Sequence, residues 1–423
     1  MQLKRPASIS AALSAATYSL LSHGADKAWD VEATALVYSE RERITVNEDV
    51  VKIKIDQGNE KTFTLTGIID VMTGASPTGA SKLGAGNTLT SPSGGKFNAS
   101  PNQAPMAQFS DQRYALHASW DRPWSKNARV AYGVDFSDEV DYASLGGSFN
   151  LSGDFFEKMT NFTFGFSGNW DRIRPINGIP IGLNQIDDRK ANYELDNKLG
   201  LQGLLGITQV LNRRTLLQFN FTLANQSGYL NDPYKVISYG AVNSNTYHNS
   251  FYESRPQSRT SRIFYSKLNY ARTDGGFVSL AGRYYKDDWN LRQVMAEIKL
   301  DQPLAGVNQS AGLHFRFARQ GKANFYHYQF CDQVGCPDYI GYNRQASDNT
   351  PLDSYKIPYV SADYRLGSLD TLTLGAKYRR PVDWFDMKMV LDARVEGMAQ
   401  FDRAKNLDPL YALILQVAFR FKY

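Results

Sequence analysis

The residues LILQVAFRFKY that end the chain alternate strictly: Leu413, Leu415, Val417, Phe419, Phe421 and Tyr423 fall on one face, Gln416, Ala418, Arg420 and Lys422 on the other. A period of two is the signature of an extended strand with one apolar and one polar side. The same division recurs upstream. Phe162, Phe164, Phe166 and Trp170 oppose Thr163, Ser167 and Asn169; Leu217, Phe219, Phe221 and Leu223 oppose Gln218, Asn220 and Thr222. Leu313, Phe315 and Phe317 oppose His314 and Arg316, and Val294, Ile298 and Leu300 oppose Glu297 and Lys299.

Two all-β architectures use such strands. A soluble antiparallel sandwich packs the apolar faces together, whereas a transmembrane β-barrel turns them to lipid and lines its lumen with the polar ones. Segments of about ten or more residues, with Tyr, Trp and Phe near their ends and the chain finishing inside a strand, favour the barrel. No apolar run long enough for a spanning helix follows the first twenty-five residues.

Candidate strands lie near 30–38, 44–56, 61–71, 111–120, 127–136, 142–151, 160–170, 191–210, 213–224, 259–271, 276–286, 291–300, 309–319, 355–366, 370–380, 387–399 and 410–423. The long connections, near 73–110, 171–190, 225–258 and 320–354, all follow odd-numbered segments, so they share one end of the barrel, the outer face. Short turns such as DQGN at 56–59, Asn212-Arg213 and Thr273 to Gly276 fall at the other end. Seventeen segments is an odd number and a bacterial barrel needs an even one, so one assignment must fall. The irregular stretches at 30–38 and 381–409 are the weakest. The expectation is an antiparallel transmembrane barrel of about 16 strands, with 14 or 18 as the neighbouring solutions.

Lys4 and Arg5, a run of small apolar residues, and Ser22-His23-Gly24-Ala25 read as a secretory signal peptide over residues 1–25, leaving 26–423 as the outer-membrane barrel. The excess of basic residues is slight, 47 Lys and Arg against 42 Asp and Glu, and scattered, which gives no support to nucleic-acid binding. Inward positions include Lys52, Lys54, Asp70, Arg283, Glu297, Lys299, Arg316 and Lys377, so the interior is expected to be polar and charge-paired.

Several chemistries are poorly served. There is no Cys-x-x-Cys-His for a c-type haem, the five His show no tight metal-ligand spacing, and no Ser-His-Asp or paired-carboxylate arrangement can be assembled. Asp187 with Asp188 and Asp287 with Asp288, on outer connections, could suit calcium but read more simply as solvated turn residues. Cys331 and Cys336, with four residues between them on the fourth long loop, are expected to form a local disulfide in an oxidising envelope.

One stretch stands apart. In DVMTGAS, Asp70 is expected on the inner face and Thr73 at the start of the first long loop, with Gly74 and Ala75 leaving its hydroxyl approachable. Read alone, this is a strand end running into a turn. Asp70, Thr73, Gly74, Ala75 and Ser76 nevertheless resemble the acceptor motif of proteins that carry flavin mononucleotide (FMN) as a threonyl phosphoester. More widely, DVMTGASPTGA (70–80), the stretch at 208–238, YESRPQSRTSR (252–262) and GRYYKDDWN (282–290) resemble an uncharacterised family of bacterial outer-membrane barrels, domain of unknown function 3570. That family's usual acidic-Asn pair before Arg255 stands here as Glu253-Ser254.

The resemblance implies FMN on Thr73, a periplasmic flavin transferase and thioredoxin-like or electron-transfer proteins as partners, outer-membrane lipid as surroundings, and a part in envelope electron transfer. The alternatives are a porin or substrate-specific transporter without cofactor, and a structural barrel that anchors an envelope assembly.

Overall fold

The structure is a computed structural model that describes residues 29–79, 88–90, 96–98, 106–184, 193–240, 247–306, 308–328, 359–384 and 387–422. The expected signal peptide and the Cys331–Cys336 pair lie outside the described residues, as do Asp187 and Asp188.

Sixteen antiparallel strands close into one barrel. In chain order they are β1 (Trp29–Glu40), β2 (Ile44–Asp56), β3 (Thr62–Pro77), β6 (Met106–Ser125), β7 (Ala128–Asp138), β8 (Tyr142–Phe155), β9 (Thr160–Ile173) and β10 (Asp196–Asn212), followed by β11 (Thr215–Gly228), β14 (Ser258–Ala271), β15 (Phe277–Asp287), β16 (Arg292–Pro303), β17 (Ser310–Gln320), β18 (Leu369–Trp384), β19 (Met387–Asp402) and β20 (Leu410–Lys422). Two small ribbons stand apart from the wall: β4 (Thr88–Thr90) with β5 (Lys96–Asn98), and β12 (Val236–Gly240) with β13 (Tyr247–Tyr252).

Each barrel strand pairs with its neighbours in chain order, and β1 closes on β20 from Asp30↔Lys422 to Glu40↔Ala412. Closure leaves no unpaired edge, which matters where no water can satisfy a backbone group. With β1 and β20 both beginning or ending at one rim, the long connections share the opposite, outer rim.

The alternation read from the sequence becomes the two faces of this wall. Phe162, Phe164 and Phe166 are 46%, 46% and 48% exposed, and Leu413, Leu415 and Val417 are 47%, 43% and 39% exposed. Side chains of this kind, left uncovered around a whole closed sheet, have only lipid to meet. Phe63 and Trp120, Phe221 and Phe264, and Phe401 and Tyr411 pack as cross-strand aromatic pairs along the exterior.

Two expectations are corrected. The strand in excess was neither 30–38, which lies in β1, nor 381–409, of which 381–384 and 387–402 lie in β18 and β19, but 355–366. Its described part, 359–366, bridges other loops and ends in a single 3-10 turn, Tyr364–Leu366. Val360, Ser361, Ala362 and Asp363 are all buried there, so this segment packs on both sides instead of alternating. The DVMTGAS stretch, second, lies wholly inside β3 and not at a loop start: Thr73 pairs with Thr45 and Ser110.

Candidate functional site: lumen and outer mouth

Because paired residues of neighbouring strands point the same way, the lining of the lumen follows from the register. Through the middle of β8 to β11 it is uncharged: Ser148, Asn150, Thr163, Ser167, Gln202 and Asn220 all face inward, opposite in parity to the exposed Phe and Leu rows, while the inward charges of these strands sit towards the rims, Asp171 with Lys198 at 3.1 Å on the outer side and Asp154 on the periplasmic side. From β15 round to β2 it is dominated by charge, and every inward residue expected from sequence on that side (Lys52, Lys54, Arg283, Glu297, Lys299, Arg316 and Lys377) keeps inward parity.

Within the charged wall a continuous polar chain crosses four strands. Lys299 Nζ lies 2.9 Å from Glu297, which lies 3.0 Å from His314 Nε2; His314 Nδ1 is 2.7 Å from Glu396, and Arg394 Nε is 3.4 Å from the same carboxylate. Towards the periplasmic rim, Arg379 forks onto Asp392 with bonds of 2.8 and 2.9 Å, Lys377 sits 3.6 Å from the same group, and Arg420 Nε donates to Glu32 at 3.0 Å. Bidentate guanidinium–carboxylate pairs hold their geometry well. His314 was expected in the lumen, and it is there.

Across the outer mouth the connection between β11 and β14 acts as a hub. Val236 N–H donates to Thr78 O beyond β3, Tyr234 Oη donates to Asp141 in the β7–β8 turn at 2.8 Å, and Leu183 N–H beyond β9 donates to Tyr252 O. Ser254 bridges Val360, and the guanidinium of Arg43 in the β1–β2 turn lies over the Tyr364 ring. Contacts from this many sides of the rim place the segment across the opening.

At its centre is a buried ion network. Arg255 lies 2.7 Å from Glu253 and 2.8 Å from Asp363; Arg365 meets Asp363 at 2.6 Å and Asp232 at 2.8 Å; Ser361 Oγ donates to Glu253. Lys235 is 6% exposed and donates to Pro77 O and, at 3.3 Å, to Ser76 Oγ. Burial pushes the Glu253 carboxyl up against the pull of Arg255. Burial would do the same to Asp363, but Arg365, Lys235 and Arg255 hold it well below the usual carboxylate range. Burial pushes Lys235 down, opposed by Asp232 and Asp363. Balanced charges of this kind tolerate desolvation only while every partner is present.

The motif residues divide between the two faces of β3. Asp70 is 5% exposed and receives Arg113 inside the barrel. Thr73, three residues on, has the opposite parity and shares the outer face with Thr45 and Ser110, above the last apolar pair. Gly74 has φ +131°, and a Cβ there would lie 2.1 Å from Arg43 O, so glycine is required by the close approach of β2. Ala75 N–H donates to Arg43 O, and Ser76 is held by Lys235. The structure thus brings Thr73, Gly74 and Ala75 together at the outer rim and separates Asp70 from them across the wall.

Three carboxylates that the sequence did not single out, Asp111, Glu139 and Asp141, come within 4.8 Å of one another where β6 meets the β7–β8 turn, an oxygen set of the kind that suits a hard cation. Burial, then Asp111, pushes Glu139 up to about 7. Asp287, read from sequence as solvated, is 2% exposed and takes Arg259 at 2.7 Å and Leu291 N–H at 2.8 Å, so it is a structural corner instead.

A closed, even-stranded antiparallel barrel with an apolar exterior and a wet, charged interior is an outer-membrane barrel. Residues 7–406 match the family described as "Protein of unknown function (DUF3570)", and the chain belongs to that family. No curated protein matches it. Among solved structures it is similar to CdiB from Acinetobacter baumannii (9% identity, TM-score 0.46, covering 92% of this chain and 60% of that one). It is also similar to OpdK of Pseudomonas aeruginosa, solved with vanillate (8%, 0.42, 94% and 99%), and to OccD3 (OpdP) of the same organism (10%, 0.42, 94% and 92%). The chain therefore spans about three fifths of the length of CdiB.

Proposed function

We propose that the protein is a solute channel or substrate-specific transporter of the outer membrane, with its mouth covered by its own loops. The observation that carries this reading is the contrast inside the barrel: at mid-height an uncharged polar wall over β8 to β11 (Ser148, Asn150, Thr163, Ser167, Gln202, Asn220) faces a wall of fixed charges from β15 to β2. A lumen of small polar side chains leaves room beside the charges, and charges held by partners on the wall can meet a solute without rearranging. The test is solute-driven swelling of liposomes containing the purified protein. Entry of small polar solutes supports the reading, and impermeability of vesicles with correctly inserted protein overturns it.

A second reading rests on the Thr73 motif. The resemblance of Asp70, Thr73, Gly74, Ala75 and Ser76 to the acceptor motif supports covalent FMN on the Thr73 hydroxyl, attached by a periplasmic flavin transferase. The flavin would then exchange electrons with thioredoxin-like or other envelope partners. The group would supply one- and two-electron chemistry, and the chain would hold it outside the lumen. Coexpression with the transferase followed by intact mass tests it: the flavin phosphoester increment, absent in Thr73→Ala, supports the reading, and its absence from the native chain removes it.

A further inference from the structure

We infer that the cavity lined by β1, β18, β19 and β20 in the periplasmic half of the lumen is a binding site for a small organic anion bearing a carboxylate or phosphate. This inference rests on the channel reading and adds the class of solute. The cavity has a volume of about 230 Å³ and is lined by Glu32, Lys377, Arg379, Asp392, Arg394, Gln416 and Arg420 together with Ala393 and Ala418.

Its charges do not cancel. Four cations (Lys377, Arg379, Arg394 and Arg420) line the cavity with two carboxylates (Glu32 and Asp392), and with Glu396 beside Arg394 counted as a third, one positive charge is left in surplus. The two carboxylates are themselves committed: Asp392 takes both arms of Arg379 and Glu32 takes Arg420. Lys377 reaches Asp392 only at 3.6 Å, on an oxygen that Arg379 already occupies. Arg394 Nε is buried, makes no hydrogen bond and lies 3.4 Å from Glu396, whose carboxylate is bonded to His314. Lys377 therefore holds the surplus charge, and both Lys377 and Arg394 have donor capacity left over.

Guanidinium forks select planar or trigonal anionic groups, which they grip with two parallel bonds, and an ammonium beside them adds charge without fixing geometry. The size of the cavity limits the ligand to a few non-hydrogen atoms. Lys52 and Lys54, exposed on the next strand and in register with Glu32 and Asp30, extend the positive surface along the wall. Arg379 and Arg420 serve as the fixed frame, and Lys377 with Arg394 as the groups that meet the solute.

The test compares entry of succinate and of erythritol, a neutral solute of similar size, into liposomes carrying the intact protein or the K377Q/R394Q variant. The native protein is expected to admit succinate in preference to erythritol, and the variant to lose that preference by about fivefold while its erythritol entry is unchanged. Reversal potentials in a KCl gradient should move from anion-selective towards neutral in the same variant. Erythritol entry in the variant doubles as the control for folding. Equal preference for the two solutes in the native protein, or a preference untouched by the double substitution, overturns the anion site and leaves the channel reading standing. Failure of both solutes to enter the native liposomes overturns the channel reading itself.

Discussion

His314 Nδ1 lies 2.7 Å from Glu396 Oε1 although β18 runs between their strands, and the residue of β18 in register with both is Gly375. A Cβ at Gly375 would stand 2.6 Å from Glu396 Cγ and 3.1 Å from Val395 O. The glycine is therefore what lets the glutamate cross a whole strand to reach the imidazole, joining Lys299, Glu297, His314, Glu396 and Arg394 into one chain. Gly375→Ala is expected to displace Glu396 and to cost about 1–3 kcal/mol, the range for inserting a methyl group into a packed site. Urea-induced unfolding in detergent micelles measures it, and an unchanged midpoint would show that the side chain merely swings aside.

The mouth network gives a larger expected effect. Arg255→Met leaves Glu253 and Asp363, both at most 2% exposed, without the guanidinium that bridges them. Breaking a buried charge set in this way costs about 3–5 kcal/mol. The loss is confined to the loops, since the strand ladders do not depend on Arg255. Protease added outside whole cells should cut the variant between β11 and β14 and spare the native protein, while the barrel keeps its heat-modifiable mobility on gels.

The acidic corner predicts a response to pH. Folding raises the Glu139 carboxyl from its ordinary 4.5 to about 7, chiefly by burial and then through Asp111. Between those two values the folded chain holds a proton that the unfolded chain has released, so stability at this corner falls as pH rises through the window. Hydrogen exchange at residues 139–141 should accelerate from pH 5 to pH 8 beyond the intrinsic base-catalysed rate. In Glu139→Gln that excess should vanish.

Orientation of the strands is tested on neighbouring residues. Leu415 points outward and Gln416 inward on β20. Leu415→Arg places a guanidinium against hydrocarbon and should cost about 2–4 kcal/mol near mid-bilayer, whereas Gln416→Arg adds a charge to a wet lumen and should be close to neutral. Folding yield into lipid vesicles compares the two, and the reverse ranking would invert the assignment of faces.

The wall was legible in the sequence because a period of two survives wherever one face is apolar and the other polar. The inward set from Lys52 to Lys377 was readable for that reason, and long loops after odd-numbered strands fixed the outer rim. The segment 355–366 imitated a strand because Val360, Ala362 and Leu366 are buried at even spacing, but Ser361 and Asp363 between them are buried as well. One-dimensional alternation does not report burial on both sides.

The mouth network escaped for a different reason. Glu253 and Asp363 meet through Arg255 across 110 residues of chain, and no local pattern marks such a pairing. The stretch around Arg255 drew notice through its family likeness alone. Thr73 was assigned to a loop because Gly74, Ala75 and Ser76 are ordinary turn residues. In the structure Gly74 serves the close approach of β2, and pairing with β6 carries β3 on to Pro77.

Passage of solute through the lumen is tested most directly by planar-bilayer recording of the native protein beside Arg255→Met. The channel account predicts discrete current steps in both, with longer or larger openings once the loop network at the mouth is broken. Silence from the native protein and the variant alike, with insertion verified by protease protection, would contradict it.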